Sequence, residues 1–338
     1  MSEPGMTVRL HHGLEGLQAL RPGWRGLYRQ LKRPNVFLSW TWLHTWWTHF
    51  AGARELVLAT VERDGLLEGV AAFVRTPPTP TVELAWDPDL WDFADVLALP
   101  GREEAVSRTL AEHLAGWAGW QTLVLHALPE DSPTGRLWSE WGNERGWKVT
   151  LVREEVTPYL PLPPTWEAYL AMLSSKDRHE LRRKLRRAEA AGPLRLEVAT
   201  RPEAVRPALE TFFDLFQRHR KAAFLVPERR AFFGALVDTF APRKWVELAL
   251  LWVGDQPAAG LFSFVHGGAA LVYNSAYDPA LAPFSPGLAC FARYITHCQG
   301  LRRKELEFLR GDEPYKYDLG ARDRWNYRLT VVRPEDAS

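Results

Sequence analysis

The stretch TPYLPLPPTWEAYL, which begins at Thr157, places prolines at positions 158, 161, 163 and 164. Proline fixes φ and removes a backbone donor, so neither a helix interior nor a central strand runs through such a segment. On either side the elements come in the same order: helices, a strand hairpin, another helix, a closing strand. Before the seam, residues 7–11 read as a strand, and residues 13–31 carry apolar side chains at helical spacing interrupted by Pro22. FLSWTWLHTWWTHFAG has Ser39 as an N-cap and Gly52 as a stop. ELVLATVERDGLLEGVAAFVRT is two strands joined through Asp64-Gly65, a strong hairpin signal. TVELAW and DVLALP follow as strands, then an amphipathic helix over 102–117, the strand QTLVLHAL, another helix and the strand KVTLVREE.

After the seam the pattern predicts helices over 165–172, 175–191, 202–221 and 228–240, with a strand at 194–199. Strands over 245–252, 257–266 and 269–276 meet at Gly254-Asp255 and Gly267-Gly268, and a helix over 286–299 precedes a strand at 304–310. At 338 residues the chain is long for one hydrophobic core. The expectation is a mixed α/β protein of two similar halves, residues 1–157 and 158–338, each with a sheet of four or more strands.

Composition excludes several classes. With 42 basic against 41 acidic residues, no global field recruits nucleic acid or membrane. The N-terminus MSEPGMTVRLHHG lacks a basic-then-apolar leader pattern, and no run of about 18 apolar residues occurs, so a cytoplasmic protein is expected. Cys290 and Cys298 fall on one helix, too far apart to bridge, which suits a reducing compartment. No His or Cys spacing suggests a metal site, so no metal is expected. Trp40, Trp42, Trp46 and Trp47 could form a sugar-stacking platform, but their helical spacing favours packing.

Two stretches suit anions. In FSPGLACFARYI, Pro286 and Gly287 open a helix whose first amides lack intrahelical partners, and the positive dipole end suits a pyrophosphate. In SSKDRHELRRKLRRAEAAG, Arg178, Arg182 and Arg186 recur at i, i+4 and i+8, three guanidinia able to grip phosphates on a nucleotide-linked sugar, a lipid headgroup or a tRNA. The same residues also fit a plain helix start and a solvated charged face. His219, among Arg218, Arg220 and Lys221, would at most belong to a basic acceptor surface.

VELALLWVGDQPAAGLFSFVHGGAALVYNSAYDP resembles the central antiparallel meander of the GNAT acyltransferase fold, ALAPFSPGLACFARYITHCQG its pantetheine-side helix, and KELEFLRG its fifth strand. RHELRRKLRRAE, YNSAYDP…SPG and FLRGDEPYKYDLGA together resemble the BioF2-like (CelD/BcsL-type) acetyltransferases, which belong with the tandem-GNAT FemABX aminoacyltransferases. NVFLSWTWLHTWW, LEGVAAFV and WDFADVLALP extend the resemblance into the first half. It implies two GNAT-like halves and transfer of an acyl group, from acyl-CoA or from aminoacyl-tRNA, to an amine or hydroxyl. The acceptor would be a small molecule, a glycan or a peptidoglycan precursor. A catalytically inactive scaffold that binds glycan or nucleotide is the other reading. Ser285, Gly287, Leu288 and Ala289 would hold the coenzyme A pyrophosphate, although the usual Gln/Arg-x-x-Gly-x-Gly/Ala pattern is only partly present.

The resemblance also gives a place to FLRGDEPYKYDLGA, which follows the fifth strand where that fold opens its donor cleft. Lys316 would stabilise the oxyanion, Tyr315 would protonate a departing thiolate, and Asp312 or Glu313 would act as base. Arg310, Tyr273 and Asn274 would line the cleft. Pro314 forbids simple continuation of a helix through the segment.

Overall fold

The computed structural model describes residues 5–218 and 222–334, so His219, Arg220 and Lys221 lie outside the described residues. The chain divides into two compact units, Met1–Val156 with Trp325–Ser338, and Thr157–Arg324.

In the first unit, β1 (Met6–His12) leads into α1 (Gly13–Ala19) and α2 (Arg21–Tyr28), with Pro22 in the first turn of α2. Helix α3 (Trp40–Phe50) starts where the Ser39 hydroxyl accepts from the Trp42 amide at 3.1 Å, the cap its sequence predicts. Strands β2 (Glu55–Arg63) and β3 (Leu66–Arg75) turn at Asp64 and Gly65, both at positive φ, 51° and 78°, as a two-residue hairpin loop demands. β4 (Thr81–Leu84), β5 (Leu97–Ala98), α4 (Glu103–Ala115), β6 (Thr122–Pro129), α5 (Thr134–Glu144) and β7 (Lys148–Val156) complete this stretch of chain. The core joins Val57, Phe73, Leu123 and Leu125 of the strands to Leu110, Trp138 and Trp141 of α4 and α5. Trp40, Trp42, Trp46 and Trp47 are all buried, which removes the stacking platform.

The second unit runs β8 (Tyr159–Pro161), α6 (Trp166–Met172), α7 (Ser175–Ala190), β9 (Leu194–Ala199), α8 (Pro202–Arg218), α9 (Pro227–Phe240), β10 (Val246–Val253), β11 (Gln256–His266), β12 (Ala269–Tyr277), α10 (Pro286–Gly300), β13 (Glu305–Glu307) and α11 (Pro314–Asp318). Its six-stranded sheet has the order β8-β13-β12-β11-β10-β9. One face packs Leu261, Ala270 and Val272 against Phe291, Tyr294 and Ile295 of α10 and Leu181 of α7. The other carries a layer of aromatic rings, Phe212 and Phe233 against Phe262, and Phe264 against Phe240. Each fully buried ring of this kind contributes about 1.5–3 kcal/mol. Cys290 and Cys298 are free and buried on α10, and burial pushes the Cys290 thiol up to about 12.

A final strand, β14 (Trp325–Val332), lies between β6 and β7 in the first sheet, whose order is β1-β2-β3-β4-β6-β14-β7 with β5 on β3. The division at 157/158 therefore needs correction at its far end: the last strand of the second half of the sequence belongs to the first unit. Alternation in WNYRLTVV gives β14 its buried face, with Leu329 and Val331 in the first core. The first unit thus takes its eighth strand from the chain's end, while the second unit's outermost strand, β8, comes directly out of the proline seam.

Candidate active site

In the second sheet β12 and β13 pair in parallel only over Ala269–Leu271 and Glu305–Glu307. Beyond that point they part. β12 carries a bulge where Phe262 faces Asn274 and Ser263 faces Val272, leaving Tyr273 as the extra residue. The continuation of β13 turns away at Leu309, which adopts a left-handed φ of 57°, and at Gly311, with φ of 106°.

Tyr315 occupies the gap. Its ring lies 5.3 Å from that of Phe291 on α10 and 6.3 Å from that of Phe308, and its hydroxyl shares a hydrogen bond with Ser275 on the unpaired end of β12. Burial, reinforced by the nearby Glu313 carboxylate, pushes the phenol well above its ordinary value of 10 and outweighs the opposing hydrogen bond from Ser275. The group is a neutral hydrogen-bond donor throughout the physiological range. Ser275 and Phe291 were not singled out in the sequence. The alternation of β12 could have found Ser275, because it pairs with Leu261, whose side chain faces α10.

Lys316 takes a different place from the one expected. It is 2% exposed, and its ammonium donates to the carbonyls of Arg310 at 2.8 Å, Gly311 at 2.9 Å and Leu309 at 3.2 Å, with the Glu313 carboxylate at 2.9 Å. An ammonium has three hydrogens. All of them are committed inside the protein, so the reading of Lys316 as an oxyanion stabiliser is corrected: it is a strut that fixes the loop following β13. Gly311 suits that turn because its φ of 106° is one that L side chains rarely adopt. Pro314 continues no helix from before it. It begins the one-turn α11, where a missing N–H costs nothing. Gly320, at φ 87°, then turns the chain against Leu173, and the Tyr169 hydroxyl donates to the Leu319 carbonyl at 3.0 Å.

The remaining expectations divide. Asp312 is exposed on the same loop, whereas Glu313 is ion-paired to Lys316. Arg310 lends its carbonyl to that lysine. Tyr273 points away from the gap, its ring packed on Phe233, Phe262 and Phe264, and Asn274 pairs with Phe262 on that opposite face. Both are thereby removed from the Tyr315 gap. At the amino end of α10, Ser285 sits at a left-handed φ of 55° and gives no side-chain cap, which leaves the amides of Gly287 and Leu288 without intrahelical partners. The Ala289 amide bonds to Ser285 O at 3.1 Å and its side chain is buried, so Ala289 has no donor to offer a pyrophosphate.

On α7, Arg178 is half-buried and reaches the Leu170 carbonyl, while Arg183 and Lys184 pair with Glu180. Arg182 and Arg186 are exposed and make no ion pair or hydrogen bond among the described residues. Among the described residues no group of three or more His, Cys, Asp or Glu could hold a metal ion, and no helix is long and apolar enough to cross a membrane.

The first unit repeats the parting of strands. β4 and β6 pair in parallel over Thr81–Glu83 and Thr122–Val124 only. There the ring of His126 stacks on Trp86 at 4.3 Å, its Nδ1 bonds Glu154 at 2.6 Å, and its Nε2 lies 3.8 Å from Glu83. Burial alone would lower this imidazole, but the two carboxylates outweigh it and raise its pKa to about 9.

With this geometry in place, residues 175–317 match the family described as "Acetyltransferase (GNAT) domain". Crystallised FemX aligns over 93% of this chain and 96% of its own, with TM-score 0.66 at 12% identity. The chain has the tandem-GNAT fold, with the GNAT match on its second unit. A tandem GNAT protein from the clavulanic acid biosynthesis pathway aligns over 98% of this chain and 100% of its own, with TM-score 0.52 and 13% identity. The C-terminal domain of a putative lysylphosphatidylglycerol synthetase from Agrobacterium fabrum aligns over 95% and 93%, with TM-score 0.59 and 12% identity. No curated protein matches the chain. At such identities the solved structures show the fold alone.

Proposed function

We propose that the second unit transfers an acyl group from acyl-CoA to an amine, with the reacting carbonyl in the gap where β12 and β13 part. The observation that carries this is Tyr315, a half-buried neutral phenol hydrogen-bonded to Ser275 in that gap. The amine nitrogen attacks the thioester carbonyl, the C–S bond breaks, and the departing thiolate takes the Tyr315 proton. Asp312, exposed on the same loop, takes the proton of the attacking amine, and solvent resets both groups. The amides of Gly287 and Leu288 at the amino end of α10 receive the donor's pyrophosphate. A cell-envelope or polysaccharide precursor bearing an amine or hydroxyl is the acceptor class, and the cytoplasm the compartment where acyl-CoA is available.

A second reading takes aminoacyl-tRNA as donor, favoured by the exposed and unpaired Arg182 and Arg186 on α7. Calorimetric titration with acetyl-CoA separates the two. Micromolar binding, about −8 kcal/mol, together with a single-turnover rate that falls about a hundredfold or more in Tyr315→Phe while binding holds, supports the thioester reading. Absence of coenzyme A binding, with salt-sensitive tRNA binding abolished in Arg182→Ala/Arg186→Ala, would replace it with the second.

A further inference from the structure

Helix α7 carries more positive charge than the Tyr315 gap uses, with seven Lys and Arg against three acids. Each of those acids is already engaged. Asp177 accepts from the Ser174 hydroxyl at 2.6 Å, Glu180 pairs with Arg183 and Lys184, and Glu189 pairs with Arg293 of α10 at 3.0 Å.

The helical period sorts the bases that remain. At 3.6 residues per turn Leu181 and Ala188 share the inner side and are buried, whereas Lys176, His179, Arg182 and Arg186 share the outer side and are exposed. Lys184 turns to Asp318, and Arg187 donates to the Pro283 carbonyl at 3.2 Å. The exposed stripe therefore differs from the i, i+4, i+8 ridge of the sequence. Arg178 leaves it for the Leu170 carbonyl, and Lys176 and His179 extend it to about 15 Å. Among the described residues Lys176, Arg182 and Arg186 have no ion pair or hydrogen bond. Arg182 and Arg186, one turn apart, repel each other, so folding gains nothing from placing them together, whereas an external anion would relieve them.

Two features favour a lipid surface over a nucleic acid as that anion. Met172, 42% exposed, ends α6 just ahead of the stripe, and an apolar side chain has no role against phosphates alone. Nor does α7 hold any aromatic ring on which a base could stack.

We propose that α7 docks the protein on an anionic lipid bilayer, with Lys176, Arg182 and Arg186 on the headgroups and Met172 entering the interface. Each Lys or Arg brought close to an anionic leaflet strengthens binding about fivefold, so the three together contribute about a hundredfold. Such docking would bring the second unit to substrates held in a membrane. It does not depend on the donor assigned to the Tyr315 gap.

Sedimentation of the full chain with large vesicles tests it, using phosphatidylcholine alone and an equal mixture with phosphatidylglycerol. Binding to the mixed vesicles is expected, falling steeply as salt is raised, with at least tenfold weaker binding to phosphatidylcholine. Lys176→Ala/Arg182→Ala/Arg186→Ala should bind the mixed vesicles about a hundredfold more weakly while melting like the wild type. Arg25→Ala/Arg29→Ala/Arg201→Ala removes the same charge from exposed positions elsewhere and should stay within about twofold. Equal losses in the two triple variants, or no preference for phosphatidylglycerol, would overturn the surface. Met172→Ser should weaken binding several-fold at any one salt concentration; unchanged binding would remove the interfacial contact and with it the case for a bilayer. No vesicle binding, with tRNA binding lost in the first triple variant, would assign the stripe to nucleic acid instead.

Discussion

Replacing Lys316 by Met keeps the length of the side chain and removes the ammonium, and the structure says what is lost. Three carbonyls, of Leu309, Arg310 and Gly311, lose their common donor, and Glu313 Oε2 loses a cation 2.9 Å away. Breaking a buried charged contact by deleting one partner costs about 3–5 kcal/mol, and the main-chain carbonyls cannot move to other donors because Leu309 and Gly311 are held at positive φ. At about 2–4 °C per kcal/mol for a domain of this size, melting followed by near-ultraviolet circular dichroism should fall by about 10–15 °C. Arginine should not restore it, since a planar fork cannot converge on three carbonyls arranged around one point. Glu313→Gln should cost about 1 kcal/mol or less, because that carboxylate is 41% exposed and screened. A Lys316→Met protein that melts within about 2 °C of the wild type yet loses turnover would refute the strut and return the ammonium to the chemistry.

His126 makes a pH-dependent contribution of the opposite kind. Its pKa is about 9 in the folded chain against 6.5 ordinarily, so the stabilisation is fully present below about 6.5 and is lost as pH rises through 9. Thermal melts from pH 6 to 10 should show a decline worth at most about 3 kcal/mol that is absent in His126→Gln, and parallel curves for the two proteins would contradict the assignment. Gly320→Ala should destabilise by about 1–3 kcal/mol, since a Cβ there would lie 2.6 Å from Leu173 Cδ2 at a φ of 87°; a wild-type urea midpoint would show that the turn can shift.

The features legible in the sequence were those in which a residue's own chemistry decides its conformation. Asp64-Gly65 had to turn, Ser39 had to cap, and the meander from Val246 to Tyr277 alternated plainly enough to place β10, β11 and β12. Lys316 was misread because its partners are backbone carbonyls, which no side-chain pattern encodes. The available signal was geometric: Gly311 and Pro314 close together force a tight loop, and a tight loop turns carbonyls inward towards whatever cation follows. Tyr273 and Asn274 were misplaced for a related reason. A bulge at Tyr273 shifts the register by one, and one residue of slip sends side chains to the other face of the sheet.

The last strand was missed although WNYRLTVV alternates well, because sequence order suggested that it belonged with its neighbours. Sheet edges explain why it does not. β13 is three residues long and would present a bare edge beside the Tyr315 gap, but β8 pairs with it, Leu160 opposite Leu306. β8 is itself the outermost strand, the one position where prolines are tolerated, and Pro158 and Pro161 discourage further strands from adding there. The seam is therefore structural as well as punctuating. Having spent its exit segment on the second sheet, the chain leaves the place between β6 and β7 open, and β14 fills it: in the first unit Trp325 pairs with Val156, and in the second the Thr157 amide donates to the Arg324 carbonyl at 2.7 Å. The first sheet is completed by a strand from beyond the obvious boundary, and the second by the strand that opens just after it. Cutting the sequence at its prolines would leave the first unit without β14, whose Leu329 and Val331 belong to its core.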